Sequence, residues 1–245
     1  MDLDWIKPGQ WVNAAGTGGF NPGKNLLQQF HELSMFITNP ISYLPRLPAD
    51  YCALIDYSGG FLVHTGWPNP GFYKVIQKYT SVWENAVCPI CPHILGEDPD
   101  HIQKMVTTFE NIENIYAVEI GIDLDTSCER IHTQIQAALG ELPVILSLPI
   151  ERIYEDWVSE LFQSGISAIS LQPLHGRIYR NEKWIKGRLY GGGQLPITFQ
   201  AVNKLKQSGL PVFAGVGIVQ RETVQQLFEM GAYGFQIHEL AWMLE

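Results

Sequence analysis

The chain has no apolar run near the roughly 20 residues that a membrane-spanning helix needs. Its opening stretch, MDLDWIKPGQWVNAAGTGGF, also lacks the basic start and apolar segment of a secretory signal, so none is expected. Cysteine is scarce: four residues in 245 are too few and too scattered for a disulfide framework, which points to a reducing, cytoplasmic compartment. Positive charge is scarce as well. With 16 Lys and Arg against 25 Asp and Glu the net charge is −9, and both nucleic acid and an anionic membrane need a broad cationic face, so neither is an expected partner. No Cys or His pair has zinc spacing, and no metal site is expected. Nor does a G-x-G-x-x-G turn follow the first β-type run, which argues against an open, doubly wound nucleotide-binding sheet.

What the chain does have is a regular alternation. Short β-type apolar runs follow longer amphipathic patterns almost from end to end, the signature of βα units and a parallel sheet. Eight strands are predicted, near residues 11–15, 35–39, 87–94, 115–121, 143–148, 168–172, 211–215 and 233–237. Between them, segments 99–110, 128–139, 153–163, 197–207 and 221–229 carry apolar residues at three- and four-residue spacing, as an amphipathic helix requires. Eight strands separated by helices predict one α/β domain over residues 1–245, a (β/α)8 TIM barrel. With Glu245 close behind the eighth strand, the closing helix is expected to be short.

Two stretches break the alternation. Residues 41–71 are rich in Pro, Gly and aromatic side chains and read as a long loop after the second strand, on the C-terminal face where barrel active sites sit. Between His175 and Arg188 lie Arg177, Arg180, Lys183 and Lys186, with Glu182 the one acid: either a solvated loop or an anion-attracting loop over a site.

Several small-residue motifs suit a ligand. Asn13, Ala14, Ala15 and Gly16 end the first strand and let a ligand approach the backbone. In HTGWPNPGF, Asn69 sits in a rigid loop with an amide that can both donate and accept. Gly187, Gly191, Gly192 and Gly193, followed by Gly215 and Gly217, offer backbone N–H groups to an anion beside a helix N-terminus, where barrels often hold phosphate. A small anionic or phosphate-bearing molecule is therefore the expected partner. Cys88 and Cys91 form C-x-x-C, but residues three apart in a strand face opposite ways, so strand packing is expected of them. The seven scattered histidines are expected to be structural.

Taken in order, these pieces resemble the dihydroorotate dehydrogenase family over nearly the whole chain. NAAGT is similar to the family's first-strand NASG segment, GWPNPGF to its GLPNxG loop, GRLYG to its GGLSG phosphate loop and AGVGI to its following GGI turn. The resemblance implies an FMN-dependent oxidoreductase acting on the CH–CH bond of a dihydropyrimidine-like substrate. It places Ala14, Ala15, Gly16, Ser147, Gly191, Gly192, Gly215, Gly217 and His238 at the FMN positions, and Asn69 and Asn39 at the substrate. Cys52 and Ser58 lie in the region of the family's catalytic base, and the resemblance allows a homodimer.

The chain departs from the family at chemically important places. The family's lysine after the second strand is matched by Asn39, and the lysine of its fifth strand by Ser147, so positive charge beside a reduced flavin is gone. Its N-x-SCPN segment is replaced by Gly121, Ile122, Asp123, Leu124 and Asp125. Its Gly-Thr at the phosphate is matched by His238 and Glu239, and a carboxylate aimed at a phosphate repels it. Two further readings therefore stay open. One is a non-catalytic paralogue or ligand-binding barrel without flavin chemistry. The other is a non-redox phosphosugar-type lyase or isomerase, with Asp123 and Glu119, four apart on one strand face, doing acid–base work.

Overall fold

In this computed structural model, residues 3, 5–29, 33–96 and 98–242 are described. Thirteen strands form among them: β1 (Trp11–Asn13), β2 (Leu33–Ile37), β3 (Ala53–Tyr57), β4 (Gly60–His64), β5 (Ile90–Cys91), β6 (His93–Leu95), β7 (Val118–Gly121), β8 (Val144–Pro149), β9 (Ala168–Gln172), β10 (His175–Arg180), β11 (Lys183–Tyr190), β12 (Val212–Ala214) and β13 (Gly234–Ile237). Six α-helices accompany them: α1 (Lys24–Gln29), α2 (Phe72–Glu84), α3 (Pro99–Phe109), α4 (Cys128–Ala138), α5 (Leu195–Leu205) and α6 (Thr223–Met230).

Nine strands make one sheet in the order β5-β2-β1-β13-β12-β9-β8-β7-β6, every neighbour parallel. Its two edges, β5 and β6, are halves of one stretch interrupted at Pro92, which has no N–H to give to a ladder. The edges therefore meet, and the eight predicted strands form a nearly closed barrel. Backbone bonds span the junction: Ile41 N donates to His93 O at 2.8 Å, Leu95 N to Ile41 O at 3.0 Å and Tyr116 N to Ile90 O at 3.1 Å.

Each barrel strand is buried on both faces, and alternation assigns its side chains to two cores. Along β8, Ile145 joins Val12, Met35, Ala168 and Phe213 inside the barrel, whereas Leu146 and Leu148 pack outward with Ile131, Ile135 and Leu205 of the helices. Truncating Phe213, 1% exposed at the centre of the inner cluster, should cost about 3–5 kcal/mol. Cys91 belongs to the inner cluster and Cys88 to the outer, the opposite-face arrangement their spacing implies. Local caps fix the helix starts: the Asp98 side chain accepts from Asp100 N ahead of α3, and Ser127 from Arg130 N ahead of α4.

The two irregular stretches are not loops. Within residues 41–71, β3 and β4 form a hairpin closed by Ser58 and Gly59, with Gly59 at φ 96°. The basic stretch is a second hairpin, β10–β11, turned through Asn181 (φ 50°) and Glu182 (φ 60°). Positive φ at both turn residues matches the twist of a tight hairpin. Pairing of β11 with β4 joins them into a four-stranded antiparallel sheet, β10-β11-β4-β3, over a small core of Ile55, Leu62 and Ile185. Alternating basic and apolar residues had hidden a one-sided strand pattern. A second correction concerns 153–163, predicted as an α-helix: 3-10 turns run over Ile150–Tyr154 and Asp156–Ser164, because Glu155 is extended (ψ 143°) and interrupts the helical backbone.

Candidate functional site

The antiparallel sheet stands beside the C-terminal ends of the barrel strands and leaves a cleft of about 920 Å³ between them. The cleft is lined by Arg46, Arg130, Lys186 and Arg188 against two carboxylates, Asp123 and Asp125. In a chain of net charge −9, four cations to two anions mark an anion-attracting surface.

Arg188 anchors it. The guanidinium carbon lies 3.9 Å from the Trp67 ring centroid, and Nη2 donates to Gln172 Oε1 at 2.8 Å. Its Nε is buried without a hydrogen-bond partner, and among the described residues no carboxylate is within ion-pair distance of it. Burial pulls its pKa below the usual guanidinium range, against weaker opposing effects of Tyr190, Asp123 and Glu151. A half-buried cation without a paired anion is costly, and an anionic ligand would relieve it.

Beneath Arg188, Trp67 covers the barrel mouth. Its backbone is left-handed (φ 56°), a conformation that costs a non-glycine residue about 1–3 kcal/mol. Its ring lies nearly parallel to His93, centroids 6.5 Å apart. Inside the barrel, His93 Nδ1 is 2.5 Å from Glu119 Oε2, and Ser170 Oγ donates to Glu119 Oε1 at 2.5 Å. Glu119 is 1% exposed with both oxygens engaged, whereas Asp123 is on the cleft surface, so these two carboxylates do not form the acid–base pair their spacing allowed.

His175 lines the large cleft, as does His64. His175 Nδ1 lies 3.2 Å from Glu151 Oε1, which also accepts the His175 backbone N–H. Burial works to raise the Glu151 pKa, but the hydrogen bonds from the His175 ring and amide outweigh it, and the net shift is downward.

At the far end, Gly191 (φ 136°) and Gly217 (φ 79°) aim their amides at one point, which Glu239 occupies. Its Oε1 accepts from Gly191 N at 3.0 Å and from Gly217 N at 2.9 Å. A Cβ at either glycine would strike backbone, that of Gly59 or Leu195. Glu239 is 1% exposed; burial holds its carboxyl above the usual range despite the amides that favour its ionised form, and Oε2 has no partner. Neighbouring His238 is held neutral, its pKa pushed down to about 3 by burial and by Arg188.

The residues that the resemblance sets against FMN, together with Asn39 of its substrate pair, are spread over three places. Ala14, Ala15, Ser147 and His238 line a cavity of about 20 Å³ under Trp67, room for about one water. Gly16 and Asn39 border the large cleft, where Asn39 Oδ1 accepts from Gly19 N at 3.1 Å. Gly191 and Gly217 hold Glu239, Gly192 begins a 3-10 turn, and Gly215 is pressed against Gln236 and His238. The small cavity has no room for a flavin ring, whereas Ala15, Gly16 and Asn39 border the larger cleft; the amides of Gly191 and Gly217 are taken by Glu239.

The other assigned residues have different work. Asn69 is 6% exposed and holds its own loop: Oδ1 accepts from Ser42 N, Ser42 Oγ and Gly71 N, and Nδ2 donates to Trp67 O. Cys52 is exposed and Ser58 lies in the β3–β4 turn, neither bordering the cleft. Sequence reasoning missed Trp67 and the His175–Glu151 pair. The signal for His175 was strand alternation in HGRIYRNEKWIKGRLY, which sets His175, Lys186 and Arg188 on one face. Among the described residues no group of three or more His, Cys, Asp or Glu could hold a metal ion, and no helix is long and apolar enough to cross a membrane.

No family model matches the chain. It is 22% identical, over 251 residues, to the catalytic subunit of dihydroorotate dehydrogenase B (NAD(+)) of Pyrococcus furiosus, covering 92% of this chain and 81% of that protein. Among solved structures, the HpcH/HpaI aldolase from Desulfitobacterium hafniense DCB-2 is similar with a TM-score of 0.54 and 12% identity, covering 99% of this chain and 92% of the other. Phosphoribosyl anthranilate isomerase from Thermus thermophilus has a TM-score of 0.49 and 10% identity, covering 93% and 84%. The chain is thus an α/β barrel with distant sequence similarity to a dihydroorotate dehydrogenase. The aldolase likeness bears on the fold alone.

Proposed function

We propose that this chain is a divergent relative of the dihydroorotate dehydrogenase barrels that binds a small anionic ligand over its C-terminal face and does so without FMN. The observation that carries the reading is the Glu239 carboxylate on the amides of Gly191 and Gly217: the chain supplies its own anion where the resemblance puts a phosphate. Exchange of family lysines for Asn39 and Ser147, and the Trp67 ring across the barrel mouth, point the same way. The anion site has moved to the large cleft, where Arg188 lacks a counter-charge and Arg46, Arg130 and Lys186 attract one.

Calorimetric titration with malonate and with inorganic phosphate tests this. At least one should bind, more weakly as salt rises, and Arg188→Met should weaken binding about tenfold or more, since a charge-assisted, partly desolvated bond is lost. If neither anion binds, or Arg188→Met binds as well as the native chain, the cleft is not an anion site.

A second reading, an FMN-dependent oxidoreductase acting on a CH–CH bond, is favoured by the 22% identity spread over 92% of the chain. It requires Glu239 and Trp67 to move aside together. Anaerobic bleaching of bound FMN by dihydroorotate would establish it.

A further inference from the structure

The β10–β11 hairpin brings a base and an anion anchor together. His175 and Arg188 are direct cross-strand partners, so their Cβ atoms lie about 5 Å apart on one face. Both line the cleft. Glu151 accepts from both the ring and the amide of His175, which fixes the imidazole's position. An ionised carboxylate can only accept, so Nδ1 carries the proton and Nε2 is left as an acceptor; among the described residues it has no partner. The His175 side chain is 16% exposed, accessible from the cleft yet held by its surroundings.

We propose that His175 is a general base that removes a C–H proton from a small oxo acid whose carboxylate rests on Arg188. This rests on the reading of the cleft as an anion site. The substrate class follows from the pairing. His175 and Arg188 are neighbours across the hairpin and line one cleft, so a base on the first would act close to a carboxylate held by the second. A C–H bond that close to a carboxylate yields to an imidazole only if a carbonyl acidifies it, as in a 2-oxo or 3-oxo acid. Lys186, two residues before Arg188 on the same face of β11 and held by the exposed Asp125 at 3.2 Å, supplies positive charge for the oxygen that becomes negative.

The step balances without an oxidant, metal or cofactor. The C–H bond breaks, its electron pair forms the enolate C=C, and the carbonyl π pair moves onto oxygen. The proton ends on Nε2, and the imidazolium faces Glu151 through Nδ1. Return of a proton from the same nitrogen restores the oxo acid, so in D2O the substrate exchanges hydrogen for deuterium. Glu151 touches no reacting atom and is a positioning residue.

The experiment is proton NMR of 2-oxobutanoate in D2O with the full chain, following loss of the C3 signal, alongside calorimetric titration of the same compound. The native chain should accelerate exchange about 100-fold or more over buffer. His175→Gln should abolish the acceleration while binding 2-oxobutanoate as the native chain does. Arg188→Met should raise the half-saturating concentration about tenfold. Glu151→Gln should slow exchange at saturating 2-oxobutanoate while leaving the half-saturating concentration unchanged, because Glu151 holds the imidazole and touches no ligand atom. Undiminished exchange in His175→Gln overturns the assignment. So does the absence of catalysed exchange in the native chain, whether or not 2-oxobutanoate binds. If malonate or phosphate still binds in that case, the anion cleft stands and the base alone is refuted.

Discussion

Glu239 Oε1 lies 2.9 Å from the amide nitrogen of Gly217, at the point where the family resemblance would put a phosphate. Gly191 completes the contact from a different loop, so one carboxylate ties the end of β11 to the segment after β12.

Removing it should destabilise the barrel's C-terminal end. Glu239→Ala strands two amides around a buried space and should cost about 2 kcal/mol or more, read from urea unfolding. Glu239→Gln keeps an acceptor without the charge. The folded-state pKa of Glu239 is raised, so its contribution to stability is fullest below the unfolded carboxylate pKa and is lost as pH rises through the folded value. Stability of the Gln variant should therefore fall less than that of the native chain as pH rises from 4 to 7.

His238 gives the opposite dependence. Its folded pKa of about 3 lies below the ordinary 6.5, so its contribution is present above 6.5 and is lost as pH falls toward 3. Between those limits the slope from this group approaches about 1.4 kcal/mol per pH unit. His238→Gln should flatten the acid side of the stability profile measured by denaturant unfolding at pH 7, 5.5 and 4.5. An unchanged slope would place the imidazole in water.

Asn69 is a loop pin. Asn69→Ala removes the acceptor shared by Ser42 and Gly71 and should lower stability by about 2–4 kcal/mol. If instead the variant unfolds like the native chain and loses only ligand affinity, Asn69 reaches a ligand.

Thiol reactivity should separate the cysteines. Burial pushes the Cys88 thiol up to about 11 and the Cys91 thiol well above its usual range, while Cys52 is exposed. Ellman's reagent should modify Cys52 at once in the native chain and reach Cys88 and Cys91 only after denaturation. Rapid labelling of Cys91 in native buffer would mean that the barrel interior opens.

The barrel was legible in the sequence because its strands are buried on both faces, and runs such as VILSLP and AISLQ have few other readings. The antiparallel sheet was not. One face of its β10–β11 hairpin carries Arg177, Lys186 and Arg188, and charge recurring at every second residue concealed the small core of Ile55, Leu62 and Ile185 behind it. The glycines of the anion nest were readable as backbone positions. That Glu239 fills the nest depends on a side chain folding back between two loops, which spacing does not reveal. Trp67 escaped for a related reason: only the Asn69 pin and a left-handed backbone turn its ring over the barrel mouth.

The most direct test of the proposal that this barrel works without FMN is equilibrium titration of the purified chain with FMN, followed by quenching of flavin fluorescence and by the visible spectrum after dialysis. The account predicts no saturable quenching up to about 100 μM, an affinity weaker than roughly −5.5 kcal/mol, and a colourless protein. A yellow, stoichiometric complex that survives dialysis would contradict it.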